Sequence, residues 1–309
     1  MSASTLSSLP ERVKVCEMGP RDGLQNETGI VPAADKIRFI DLLSASGLAT
    51  IDTTSFVRPN AIPQLTDAEE VMAGIERRPG VSYLCLVPNL RGLERARSAG
   101  VRAIAVFTAA SEAFTKANIN MTIDESIAAF RDVVKAARSE GMWIRGYVST
   151  AFGCPYEGAV PVERVVRVAS ALAEMGIDEI SIGDTIGVGT PNAVVDVAGA
   201  LQAHMPVERL AMHFHDTRGV ALANVVAALQ MNVAIFDSSA GGLGGCPYAP
   251  GATGNLATED LLYMLDGMGI ETGVSLDAVR AATRFVSGVL GHEAPSRAYR
   301  ALEAAAARA

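Results

Sequence analysis

A short apolar run followed by an amphipathic stretch returns about every 30 residues along this chain, and that rhythm leaves few folds open. The apolar runs fall at residues 13–18, 50–56, 82–87, 103–108, 143–149, 179–183, 210–214 and 234–238. Each has the length of a strand. Between them lie helical patterns such as 34–46, 125–140, 162–175, 192–203 and 222–231. Gly47, Gly100, Gly141 and Gly176 stand where a helix would place the glycine just past its end. Strand alternating with helix predicts a parallel sheet, because parallel strands need a crossover between them. Eight such units predict an α/β fold closed as a TIM (β/α)8 barrel rather than an open doubly wound sheet.

The barrel is expected over residues 13–254, with a C-terminal helical extension at 255–309, all within one catalytic domain of 309 residues. In the extension, 256–268 and 276–290 are apolar at helical spacing, and 299–309 is Ala-rich. Aromatics make up only 5% of a chain that is 49% hydrophobic, which suits small side chains packed between helices and a parallel sheet. A net charge of −8 with no Lys/Arg run argues against nucleic acid as a partner. No apolar stretch approaches the roughly 18–20 residues of a membrane span. Residues 1–11 offer neither the basic nor the apolar region of a signal peptide before Glu11. Cys16, Cys85, Cys154 and Cys246 are widely spaced, as expected of reduced thiols in a cytoplasmic protein.

Active sites of such barrels are built at the C-terminal ends of the strands. Polar residues gather there: Arg21 and Asp22 after the first run, Asp52 in the second, Asp184 ending the sixth, His213 and His215 in the seventh. Residues i and i+2 of a strand share a side. Both imidazoles therefore face the barrel mouth, and with Asp22 and the amide oxygen of Asn255 they make an N2O2 set for Mg²⁺, Mn²⁺ or a similar divalent ion. The plainer account is a pair of buried histidines satisfied by hydrogen bonds. Arg21 beside a metal would stabilise an enolate or thioester oxyanion; otherwise it is an ion-pair partner of Glu17 or Glu27. Cys246 stands in a glycine-rich segment of a kind that can close over a site, where a thiol could move a proton. Asp52 and Asp184 are each open to reading as a base, a supporting partner or a turn residue.

Longer motifs carry a family likeness. Gly19-Pro20-Arg21-Asp22-Gly23-Leu24-Gln25-Asn26-Glu27 resembles the first-strand signature of the 3-hydroxy-3-methylglutaryl-CoA lyase family. Thr53-Thr54-Ser55-Phe56-Val57, Arg145-Gly146-Tyr147-Val148-Ser149 and Gly153-Cys154-Pro155-Tyr156-Glu157-Gly158 are similar to it as well. So are Gly183-Asp184-Thr185-Ile186-Gly187, Gly242-Leu243-Gly244-Gly245-Cys246-Pro247 and Gly254-Asn255-Leu256-Ala257-Thr258-Glu259-Asp260. The resemblance implies metal ligands at Asp22, His213, His215 and Asn255, and catalytic roles for Arg21 and Cys246 supported by Asp52, Asp184 and Glu259. It implies an acyl-CoA substrate, with Arg21 and Gln25 as binding residues, and a homodimer; Arg218, a cation at the barrel mouth, is open to reading as a partner of a substrate carboxylate or CoA phosphate, or as a surface side chain. The implied reaction releases acetoacetate and acetyl-CoA from 3-hydroxy-3-methylglutaryl-CoA. Two positions depart from the family pattern: Asp52 stands where Glu is usual, and Arg218 where Tyr is usual. They motivate a related branched 3-hydroxyacyl-CoA as an alternative substrate. A Claisen-type acyl-CoA synthase, or a metal- or CoA-binding barrel without turnover, fits the set of chemical residues less well.

Overall fold

The computed structural model describes residues 9–58, 62–244 and 254–308. Eight strands, β1 (Lys14–Glu17), β2 (Thr50–Ser55), β3 (Ser82–Leu86), β4 (Ala103–Ala109), β5 (Trp143–Ser149), β6 (Glu179–Asp184), β7 (Leu210–Phe214) and β8 (Ile235–Ser238), close in sequence order. Every neighbouring pair is parallel, and β8 returns to β1 with Cys16 opposite Asp237. The barrel expected from the repeating units is thus the observed fold.

Helices α1 (Ala33–Ser44), α2 (Ala68–Gly74), α3 (Leu90–Ser98), α4 (Glu112–Ile119), α5 (Ile123–Ser139), α6 (Val162–Glu174), α7 (Pro191–Gln202) and α8 (Ala221–Gln230) surround the first seven strands. Of these, α4 is an added turn of chain between β4 and α5. Helix α9 (Thr258–Gly267) completes the eighth unit, and α10 (Leu276–Leu290) and α11 (Arg297–Ala306) extend beyond it. The long α5 shows why such segments become helices. Thr122 and Glu125 cap its start reciprocally, at 3.1 and 2.7 Å. Ile127, Phe130, Val134 and Ala137 then bury one stripe. No helix among the described residues is long and apolar enough to cross a membrane.

Period-two alternation divides each strand between two cores. Ile104, Val106, Ile144, Val148, Ile180, Ile182, Leu210 and Met212 pack outward against the helices. Each such side chain contributes roughly 1.5–3 kcal/mol relative to exposure. Cys16, Leu84, Ala103, Ala105, Tyr147, Ala211 and Ile235 make the second cluster, in the barrel lumen. The lumen is not wholly apolar: Arg145, with no exposed surface, lies 2.8 Å from Glu179 of β6 and 2.7 Å from Asp237 of β8. Contacts between strands that are not neighbours are available only across the interior.

Gly47 has φ +95°, and a Cβ there would run into the Gly273 carbonyl oxygen, where the lead-in to α10 crosses the end of α1. Gly141 has φ +70° with nothing within 4 Å of a built Cβ. Gly141→Ala should therefore cost only the left-handed backbone term, about 1–2 kcal/mol, while Gly47→Ala costs distinctly more. Urea midpoints of the two variants check this. Equal losses would show that the α1–α10 junction yields without cost.

Candidate active site

The site begins where β1 ends. Glu17 accepts a hydrogen bond from Gly19 N at 2.8 Å, and a π-turn over Gly19–Gly23 follows. Met18 O accepts from both Asp22 N (2.9 Å) and Gly23 N (3.0 Å). Such wide turns recur at functional sites because they re-aim consecutive side chains. Here the turn sends Arg21 inward, 8% exposed, and leaves Asp22 half-buried at the mouth.

Arg21 does not pair with Glu17 or Glu27. Its Nε donates to Asp52 Oδ2 at 2.7 Å and its Nη1 to Asp22 Oδ1 at 2.9 Å. Its guanidinium also lies over the Tyr147 ring, 5.6 Å from the centroid. Burial would raise the Asp22 carboxyl, but Arg21, His213, His215 and Asn255 together hold it down at about 2. For Asp52 burial wins over Arg21 and the carboxyl is raised. Asp52 Oδ1 is buried without a hydrogen-bond partner, while Oδ2 also accepts from the Tyr147 hydroxyl at 3.2 Å.

His213 and His215 present their rings on one side, with centroids 5.2 Å apart. One ligand atom from each of Asp22, His213 and His215 falls within 4.8 Å of the others. Asn255 joins them through a bridge to His215, and its Nδ2 donates to Asp22 Oδ2 at 2.9 Å and to Leu243 O at 3.1 Å. His215 Nδ1 is buried with no partner. Burial, and then repulsion from His213, push His215 down to about 4, so the ring is neutral at pH 7. A carboxylate, two imidazoles and an adjacent amide, with one nitrogen orphaned, are the donor chemistry of a divalent-cation site. Three of the expected ligands, Asp22, His213 and His215, therefore meet, with the Asn255 amide beside them and its Nδ2 turned to Asp22.

Other expected residues stand further out. Asp184 accepts from Val188 N and Gly189 N, both at 2.9 Å, and so shapes the turn after β6. Arg218 is exposed and donates to Ile186 O (2.8 Å) and Gly187 O (3.0 Å), tying that same turn to the one after β7. Gln25 is half-buried just beyond the π-turn. Glu259 is fully buried at the start of α9. Cys246 lies outside the described residues. Its described neighbours in sequence are placed at the site: a Cβ on Gly244 would sit 2.5 Å from Asn255 Nδ2, and one on Gly254 would strike the Gly244 carbonyl.

Arg145, Tyr147, Glu179, Ser181 and Asp237 underlie this cluster, and sequence reasoning gave none of them a role. His213 Nδ1 lies 3.1 Å from Asp237 Oδ2, and Lys14 pairs with Glu179 at 2.8 Å. Burial favours a neutral Asp237, but Arg145 and His213 outweigh it and hold the carboxyl low. A signal existed: polar side chains inside apolar strands, spaced by two, as in Arg145 and Tyr147, point into a lumen.

Known proteins resemble the chain over nearly its whole length. The HMGL-like family model matches residues 12–286. The mitochondrial hydroxymethylglutaryl-CoA lyase of Bos taurus is 52% identical over 297 residues, covering 96% of this chain and 91% of that protein. The crystal structure of hydroxymethylglutaryl-CoA lyase from Pseudomonas aeruginosa superposes with TM-score 0.94 at 52% identity, covering 96% of this chain and 99% of that one. An HMG-CoA lyase from Acinetobacter baumannii, in complex with coenzyme A and 3-methylmalate, superposes with TM-score 0.90 at 39% identity, covering 97% of each.

Two buried carboxylates fasten the segment that follows β8. Glu17 accepts from Ala240 N at 2.8 Å and from the Thr258 hydroxyl at 2.7 Å. Glu259 accepts from Gly241 N at 2.8 Å and from the Thr283 hydroxyl. Burial raises both carboxyls to about 7, against the hydrogen bonds that oppose it. A carboxyl raised in the folded state stabilises below its unfolded value and loses that stabilisation as pH rises through the folded one. The protein should therefore lose stability between pH 4.5 and about 7 from these groups. Glu259→Gln keeps the acceptor and should flatten the loss, by up to about 3 kcal/mol. Urea unfolding at pH 5 and pH 8 measures it; an unaltered slope would mean that Glu259 is ionised throughout.

Proposed function

The chain belongs to the HMGL-like family, and on that premise we propose that it is a carbon–carbon lyase cleaving 3-hydroxy-3-methylglutaryl-CoA to acetoacetate and acetyl-CoA. The observation that carries the reading is the meeting of a cation-binding cluster with a buried guanidinium at one barrel mouth. That pairing suits a reaction in which an alkoxide forms at one carbon and an enolate at its neighbour's thioester.

Asp22, His213, His215 and Asn255 would hold the divalent cation, Mg²⁺ or Mn²⁺. Bound there, the cation supplies Lewis acidity that eases loss of the proton from a tertiary hydroxyl. The C3 hydroxyl proton passes to a basic group beside the cluster; of Asp22, His213 and Asp52, the first two are assigned to the cation, which leaves Asp52, one of whose carboxyl oxygens has no hydrogen-bond partner. The C3–O bond becomes a carbonyl as the C2–C3 bond breaks, and the electron pair moves onto the thioester. Arg21, fixed by Asp52 and Asp22, offers a pre-oriented positive charge to the developing enolate oxygen. Protonation at C2 then gives acetyl-CoA, and we assign that proton to Cys246, two residues beyond Gly244. Gln25 is assigned to substrate binding, whereas the Arg218 hydrogen bonds to carbonyls support an architectural part for that residue. We assign the chain a homodimeric, cytoplasmic form.

Purified protein with Mg²⁺ or Mn²⁺ should release acetyl-CoA from 3-hydroxy-3-methylglutaryl-CoA, and excess EDTA should stop it. Folded, metal-supplied protein that releases none would redirect the assignment to another branched acyl-CoA. Arg21→Met should lower kcat about 10²–10³-fold. Near-normal turnover would remove Arg21 from enolate stabilisation. Cys246→Ser should reduce kcat with KM little altered; a rise in KM alone would make the thiol a binding feature.

A further inference from the structure

His213 has two ring nitrogens and two different obligations. While the ring belongs to the cluster with Asp22 and His215, its Nδ1 lies 3.1 Å from Asp237 Oδ2. Asp237 is 2% exposed on β8. The same Oδ2 accepts from Ser181 Oγ at 2.9 Å, and Oδ1 lies 2.7 Å from Arg145 Nη2. A carboxylate can only accept hydrogen bonds, so Nδ1 must be the donor, and in the neutral ring the lone pair is left on Nε2.

We propose that Asp237 is a positioning residue that locks His213 in the Nδ1–H tautomer and so delivers Nε2 as a ligand for the divalent cation. The proposal rests on the metal centre assigned above and names what orients it. Histidine ligands commonly donate their second ring N–H to a carboxylate, which fixes tautomer and ring angle and raises basicity. What makes the present case specific is Arg145. A carboxylate offers equivalent oxygens to the guanidinium and to the imidazole; an amide cannot. In Asp237→Asn the cation beside Oδ1 attracts the amide oxygen and repels the amide NH2. The NH2 then faces Ser181 and His213. His213 must accept at Nδ1 and carry its proton on Nε2, the tautomer with no lone pair for a metal. The equivalent aspartate-to-asparagine change in a serine-protease triad disables its histidine in the same way.

Four histidines in the chain make the tautomer measurable. Metal-free protein labelled with ¹⁵N-histidine at pH 8 would be read by long-range ¹H–¹⁵N spectra, with His213 assigned by its loss in His213→Gln. Mn²⁺ affinity would be titrated by EPR on the same samples. Wild-type protein should show Nδ1–H at His213. Asp237→Asn should show Nε2–H and bind Mn²⁺ about 10–100-fold more weakly. Ser181→Ala, which keeps the carboxylate, should retain the wild-type tautomer. Nε2–H in the wild type, or wild-type Mn²⁺ affinity in Asp237→Asn, would overturn the proposal. The wild-type spectrum decides the first point even if the variant does not fold. Failure of wild-type protein to bind Mn²⁺ would overturn the metal centre itself, whereas the tautomer is read without metal and judges the Asp237 contact separately.

Discussion

Arg145 carries its charge in the lumen with none of its side chain reaching water, so carboxylates must come to it from other strands. Removing one member of such a buried pair costs about 3–5 kcal/mol, because the other is left uncompensated. The arrangement propagates. Glu179 is shared with Lys14, and Asp237 with Ser181 and His213. Tyr147, whose ring lies 5.2 Å from the Arg145 guanidinium, passes the chain of contacts to Asp52 and thence to Arg21 and Asp22. Three cations thus face four carboxylates inside the barrel, Lys14, Arg21 and Arg145 against Asp22, Asp52, Glu179 and Asp237. The surplus negative charge belongs with the mouth, where Asp22 stands beside the two imidazoles.

The barrel was readable because every strand announces itself locally. All eight apolar runs became strands, with ends moved by a residue or two, and Gly47, Gly100, Gly141 and Gly176 all adopt positive φ. The meeting of His213, His215, Asp22 and Asn255 was also readable, since strand parity and position at the C-terminal end are local properties. What could not be read is which inward residues touch across the lumen. Arg21 has Glu17 and Glu27 close in sequence, yet it pairs with Asp52 on the neighbouring strand. Glu17 turns away to hold Ala240 and Thr258. Parity gives direction, but the partner is set by barrel closure, which no window of sequence contains.

Residues that the family likeness marks as functional divide by position. Arg21 and Asp22 touch the cluster or belong to it. Asp184 and Arg218 instead fix the turns after β6 and β7 through backbone groups, and Glu259 holds Gly241 against α10 through Thr283. Turns held in this way give the sub-ångström placement that reaction geometry demands.

The lumen network also constrains the order in which the molecule can be made. Synthesis runs from the N-terminus, so Arg145 leaves the ribosome before Glu179 and long before Asp237. Strand β1 likewise waits for β8, its ladder partner. A nascent chain ending before β8 has two open sheet edges and a guanidinium that has met Glu179 but not yet Asp237. Open edges invite association with other chains. The incompletely paired charge opposes sealing the partial sheet around a dry interior. The last strand thus closes both sheet edges and completes the pairing of Arg145 in one step.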